Sequence, residues 1–179
     1  LQITCDDQSF IRYNVHKKSF NEDYFDKPYE FAVRDFARRL KNYYSQFTPF
    51  STEEFNSIVK LINDRGLGHG VFAYNIVNTG LVTSQHMNNN YFPLKCAKEV
   101  IQMVNLMENF VEHYTRMFGY TYIERVKEFF NEEMKTAEQR RTPGGLSYIS
   151  TLSSILNEEY FSNLQALLAK NLEDSCISC

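Results

Sequence analysis

The sequence predicts an all-α protein, and three kinds of observation support this fold class. Apolar residues recur at spacings of three and four along most of the chain from Pro28 onward, which places them on one face of a helix. Capping boxes such as Ser51 with Glu54 precede these apolar runs, and glycines such as Gly66 follow them. The predicted architecture is a set of antiparallel helical hairpins, arranged as a solenoid or as a bundle of roughly six to seven helices.

The first part of the chain is the least helical. Leu1–Thr4 and Phe10–Val15 alternate apolar and polar residues around a turn-like Asp6–Ser9. This pattern predicts that residues 1–27 form a short hairpin or an extended arm, and that residues 28–179 form the helical domain.

The helical domain divides at its capping residues, glycines and prolines. Gly119 is predicted to end one helix, and a capping box of Thr121 and Glu124 to begin the next. A cap at Thr142 followed by Pro143 starts a later helix. The predicted helices cover residues 28–47, 52–65, 71–79, 93–118, 121–138, 143–156 and 158–172.

Composition limits the classes of function. The net charge of -3 argues against sequence-independent nucleic-acid binding, which needs many cationic contacts with phosphates. No apolar run is long enough to span a membrane. Four cysteines and the lack of a glycosylation sequon favour a reducing environment, so we expect an intracellular protein of the cytoplasm or nucleus. The 15 Phe and 12 Tyr residues exceed an average core and could line a peptide groove.

No group of residues predicts catalysis or metal binding. Cys176 and Cys179 have the spacing of half a zinc site, but no second half is near them in the sequence. The four histidines are scattered, and the glycines of 66–70 match neither a Walker loop nor a dinucleotide fingerprint. We therefore predict a protein that is not an enzyme and that uses no metal and no cofactor.

Two resemblances point towards RNA. Val126–Met134 followed by Leu146–Leu152, and also Phe72–Ile76, resemble helices of pentatricopeptide-type repeats, which belong to the helical-hairpin repeats. The segment Arg140–Gly145 resembles an Arg-rich turn in the RNA-binding domain of the phosphorylated adaptor for RNA export. These resemblances imply helical hairpins and an RNA ligand.

The predicted function is a non-enzymatic adaptor that binds a peptide or helix of another protein, with RNA binding as the alternative. Arg140 and Arg141 precede a predicted helix start, where cations oppose the helix dipole unless a phosphate binds there. The candidate binding residues are Arg140, Arg141, Thr142, Gly144 and Gly145 in this turn, and Arg34, Arg38, Arg39 and Lys41 on an earlier helix.

Overall fold

The computed structural model describes residues 1–66, 72–80, 86–87, 98–139 and 147–177, with residues 86–87, 135–139 and 175–177 described by their backbone alone. The chain divides into two compact units. The first unit comprises Leu1–Asp6 and Phe50–Ile123, and the second unit comprises Asp7–Pro49 and Glu124–Cys179.

Helices dominate the described part of the chain, which confirms the predicted fold class. The α-helices are α1 (Gln8–Lys18), α2 (Tyr29–Tyr44), α3 (Thr52–Asp64), α4 (Lys98–Tyr114), α5 (Tyr120–Gln139), α6 (Tyr148–Ile155) and α7 (Glu158–Ile177). Short 3-10 helices cover Glu22–Tyr24 and Asn78–Gly80, and a π-helical turn covers Thr115–Gly119. The strands are β1 (Gln2–Thr4), β2 (Ala73–Val77) and β3 (His86–Met87). Each of these helices is too short or too polar to cross a bilayer.

A small sheet organises the first unit. Its strand order is β1-β2-β3, with β1 parallel and β3 antiparallel to β2. The parallel register places Ile3 opposite Ile76. Residues of β2 alternate in burial, and Tyr74 and Ile76 pack with Val111 of α4 in one apolar cluster. The sheet and α4 therefore share a core.

The second unit is a helical assembly with an apolar interior. Helix α2 packs against α1, α6 and α7, and α1 also packs against α6. Side chains of these helices fill the core, which includes Phe10, Ile11, Val15, Ala32, Val33, Leu152, Leu156, Phe161 and Leu164. Polar side chains bind free backbone groups at the helix ends. The Arg12 guanidinium, for example, donates two hydrogen bonds of 3.1 and 2.9 Å to the Leu156 carbonyl, just after α6.

Several predicted helices are confirmed. Helices α2, α3, α5 and α7 lie where residues 28–47, 52–65, 121–138 and 158–172 predict them. The Ser51 hydroxyl caps α3 by accepting a hydrogen bond of 3.1 Å from the Glu54 amide. The Asn157 side chain caps α7 through the Tyr160 amide at 2.9 Å. Helix α6 follows a cap at Ser147, and its predicted start at Thr142 lies outside the described residues.

The prediction of an extended arm or hairpin over residues 1–27 is wrong beyond β1. Residues Gln8–Lys18 form α1, and Asp7 is its N-cap because its carboxylate accepts a hydrogen bond of 3.0 Å from the Phe10 amide. An aspartate before a helix and an aspartate in a turn look alike in a sequence, since both use the side chain to bind a nearby backbone N–H. The compact units also divide the chain at other places than residue 28.

The helix predicted for residues 71–79 is also wrong, because Ala73–Val77 form β2. The partner strand β1 lies some seventy residues earlier in the chain, with Gln2 opposite Asn75. A short apolar run suits either a strand or a helix, and only this distant pairing decides between them.

Gly119 does not end a helix. The chain continues from α4 through the π-helical turn Thr115–Gly119 into α5, so Thr121 and Glu124 lie within a helix and do not cap one. Glycine is needed there because a Cβ atom at this position would lie only 2.6 Å from the Thr79 carbonyl oxygen. Close backbone packing therefore explains this glycine better than helix termination.

Candidate functional site

The candidate site lies at the carboxyl ends of β1 and β2. Because these strands are parallel, the chain leaves both at the same edge of the sheet, at Cys5–Asp6 and at Asn78–Gly80. Open sheets with parallel strands bind small ligands at this edge. Polar residues that follow the two strands are therefore the first candidates for ligand contacts.

Asp6 and Asn78 tie the two strand ends together. The Asp6 amide donates a hydrogen bond of 2.9 Å to Asn78 Oδ1, and Asn78 Nδ2 donates one to Asp6 Oδ1. Asn78 is buried and Asp6 is exposed. Among the described residues, no donor reaches Asp6 Oδ2, so a fixed and accessible carboxylate oxygen lies at the edge.

The turn that follows β2 has an unusual backbone. Asn78, Thr79 and Gly80 have φ angles of 50°, 61° and 86°, all in the left-handed region. Non-glycine residues rarely adopt this conformation, and such residues concentrate in ligand-binding and switch regions. The backbone geometry thus marks the same place as the Asp6–Asn78 pair.

His16, in the second unit, is the second polar side chain that could have a functional role, but packing among aromatic rings explains it better. His16 lies among aromatic rings, with centroid distances of 4.3 Å to Phe129, 5.1 Å to Phe20, 5.2 Å to Tyr148 and 5.8 Å to Tyr29. Burial, helped by the charge of Lys17, lowers the pKa of His16 to about 4. The imidazole is therefore neutral at pH 7, and its Nδ1 lies 3.0 Å from the Tyr29 hydroxyl.

The three arginines of α2 that are predicted to bind a partner form ion pairs within the second unit. Arg34 binds Glu30 at 2.8 Å, and Arg38 and Arg39 both bind Asp35. The hydrogen bond from the Tyr24 hydroxyl is the largest cause of a lowered pKa at Asp35, and Arg38 and Arg39 lower this pKa further.

Lys41 lies in the last turn of α2. The remaining predicted binding residues, Arg140, Arg141, Thr142, Gly144 and Gly145, lie outside the described residues, as does Cys179. Within the described residues no group of His, Cys, Asp and Glu could hold a metal ion.

A polar edge at the carboxyl ends of parallel strands is the place where open parallel sheets bind small-molecule ligands, so the geometry indicates a small-molecule-binding protein. Comparison with known proteins specifies the family. Residues 1–93, just over half of the chain, match the family model for 6-phosphofructo-2-kinase, and the chain belongs to this family. It is also 34% identical over 85 residues to 6-phosphofructo-2-kinase 1 of Saccharomyces cerevisiae, which covers 48% of this chain and 10% of the relative. The chain thus spans about a tenth of that relative's length. No solved structure matches the chain.

The family overturns the predicted function. A non-enzymatic adaptor, its RNA-binding alternative and the predicted protein or RNA partner are all wrong, because the matching family and the yeast relative are kinases. The resemblances to pentatricopeptide-type repeats and to the RNA-export adaptor are wrong for the same reason. The first rested on residues that any amphipathic hairpin would use, and the second on six residues beyond the matching region.

Sequence reasoning missed Asp6 and Asn78. A usable signal was present, since each follows a short alternating or apolar run, Leu1–Thr4 in one case and Ala73–Val77 in the other. Reading both runs as strands would have placed both polar residues at strand ends.

Proposed function

We propose that this chain is part of a 6-phosphofructo-2-kinase that transfers a phosphoryl group to the 2-hydroxyl of 6-phosphofructose. We further propose that the carboxyl edge of β1 and β2 binds the sugar. The observation that carries the proposal is the Asp6–Asn78 pair, which lies at this edge and within the residues that match the family.

The chemistry of the pair suits a sugar ligand. Phosphoryl transfer depends chiefly on holding the attacking hydroxyl in line with the phosphorus and on stabilising charge. Asn78 fixes one carboxylate oxygen of Asp6, and the other can accept a hydrogen bond from a sugar hydroxyl. As the 2-oxygen forms its bond to the γ-phosphorus of a nucleoside triphosphate, the bond from that phosphorus to the nucleoside diphosphate breaks, and the diphosphate leaves. The 2-oxygen loses its proton in this step, and a nearby carboxylate can receive that proton. Asp6 is the described residue that we assign to this contact.

Binding of fructose 6-phosphate to this chain tests the proposal. We expect calorimetry to show binding by the parent and an affinity about tenfold or more weaker in Asp6→Asn, because a charge-assisted hydrogen bond contributes about 1.5–3 kcal/mol. The substitution keeps the shape of the side chain and removes its charge. Asp64→Asn is the matched control, since it removes an exposed carboxylate at the end of α3 in the same unit.

A kinase assay with the full-length protein gives a second test, in which the Asp6→Asn variant should lose at least tenfold in kcat/KM for fructose 6-phosphate. A protein that does not phosphorylate fructose 6-phosphate, or an Asp6→Asn variant as active as Asp64→Asn, would contradict the proposal. An intracellular location in the cytoplasm or nucleus remains a prediction that fits a sugar-phosphate substrate.

A further inference from the structure

The turn Asn78–Gly80 needs an external restraint. Three consecutive residues adopt left-handed φ angles, and two of them, Asn78 and Thr79, carry a Cβ atom that disfavours this conformation. The Thr79 hydroxyl oxygen is buried, and no hydrogen-bond partner reaches it among the residues that the structure describes. A turn with these features persists only where its surroundings hold it in place.

The π-helical turn supplies this restraint. The Thr115 hydroxyl donates a hydrogen bond of 2.9 Å to the Thr79 carbonyl. The Gly80 backbone lies so close to the Thr115 side chain that a Cβ atom on Gly80 would lie 1.7 Å from Thr115 Oγ1. Thr115 is the first residue of the π-helical turn, and such turns within α-helices occur frequently at functional sites.

Two sets of hydrogen bonds, joined by the peptide bond between Asn78 and Thr79, connect the π-helical turn with the candidate site. Thr115 fixes the Thr79 carbonyl, and the adjacent residue Asn78 holds both the amide and the carboxylate of Asp6. Thr115 itself lies beyond residues 1–93, so the family match does not include it.

We propose that Thr115 is a positioning residue for the sugar-binding edge, acting on Asp6 through the turn Asn78–Gly80. This inference rests on the proposed function. It adds that a residue outside the matching region sets the geometry of a carboxylate inside it, and that the hydroxyl of Thr115 is the group that does so.

Two substitutions separate the hydroxyl from the bulk of the side chain. Thr115→Val keeps the size and branching but leaves the Thr79 carbonyl without this donor, whereas Thr115→Ser keeps the donor. Thr121→Val is the matched control, because Thr121 is exposed on α5 in the same unit. Each variant is tested for fructose 6-phosphate affinity by calorimetry, for backbone amide hydrogen exchange and for Tm.

We expect Thr115→Val to bind fructose 6-phosphate about tenfold more weakly. We also expect its amide exchange to be faster at residues 78–80 and at Asp6, and unchanged along α4 and α5. Thr115→Ser and Thr121→Val should match the parent in both measurements.

Parental affinity in Thr115→Val overturns the inference and leaves the proposed function standing. Faster exchange spread over α4 and α5 also overturns it, because the hydroxyl would then only stabilise the helices. A parent that does not bind fructose 6-phosphate overturns the proposed function and the ligand role of Thr115 with it, while the exchange data still decide whether Thr115 holds the turn.

Discussion

The helices of the second unit and the strand edge of the first unit are built in different ways. In the second unit, helices begin at side-chain caps within one turn of the residue they bind, such as Asp7 for Phe10 and Ser147 for Ser150. At the strand edge, the important contacts join residues far apart in the chain, such as Asp6 with Asn78 and Thr79 with Thr115. Local contacts thus set where the helices begin, whereas long-range contacts build the candidate site.

The largest expected effect is at the strand edge. Gly80→Ala should lower the free energy of unfolding by about 3 kcal/mol or more, because the added Cβ would overlap Thr115 Oγ1 and φ is 86°. Urea unfolding measures the change.

Gly66→Ala is the matched control for that substitution. Gly66 has a φ of 60° at the end of α3, but no atom of the described residues lies within 4 Å of the added Cβ, so we expect only the conformational cost of about 1 kcal/mol. Equal losses in the two variants would mean that Gly80 is not packed against the π-helical turn.

The next largest expected loss of unfolding free energy is in the second unit, at the long-range contact between Arg12 and Leu156. Arg12→Met should cost about 2 kcal/mol, because it removes a charged donor from the Leu156 carbonyl and a cation that lies 5.0 Å from the centre of the Phe161 ring. The methionine keeps most of the apolar stem, so the loss reports on the guanidinium. Arg34→Met, at an exposed ion pair on α2, should change the unfolding free energy by less than about 1 kcal/mol in thermal or urea unfolding. A similar loss in both variants would contradict this difference.

A smaller effect concerns pH and His16. The folded pKa of about 4 lies below the ordinary 6.5, so the contribution of neutral His16 to stability is complete above pH 6.5 and is lost as the pH falls towards 4. At pH 5 the loss should be about 1–2 kcal/mol, after allowance for the partial exposure of the ring.

His16→Asn should remove this part of the pH dependence. Urea unfolding of parent and variant at pH 7.5 and pH 5 measures the difference between them. A difference that stays constant between the two pH values would show that His16 has an ordinary pKa.

The comparison also explains which predictions succeeded. Ser51 was recognisable as a helix cap because the Glu54 amide that it binds lies three residues later. Strand β2 was mistaken for a helix because its partner Gln2 is distant in sequence, and Gly119 was mistaken for a stop because the Thr79 carbonyl packed against it is distant too. The candidate site was missed because Asp6 and Asn78 are far apart in the sequence, and only the strand pairing brings them together.

Nuclear magnetic resonance of the isotope-labelled chain tests the central claim most directly. On titration with fructose 6-phosphate, we expect the amide signals of Asp6 and of residues 78–80 to shift most. These shifts should saturate and fit a single dissociation constant. Addition of glucose 6-phosphate should shift these signals less, since its hydroxyls are arranged differently. Shifts centred on the aromatic residues around His16, or no saturable shifts at the strand edge, would contradict the assignment of this edge as the sugar-binding site.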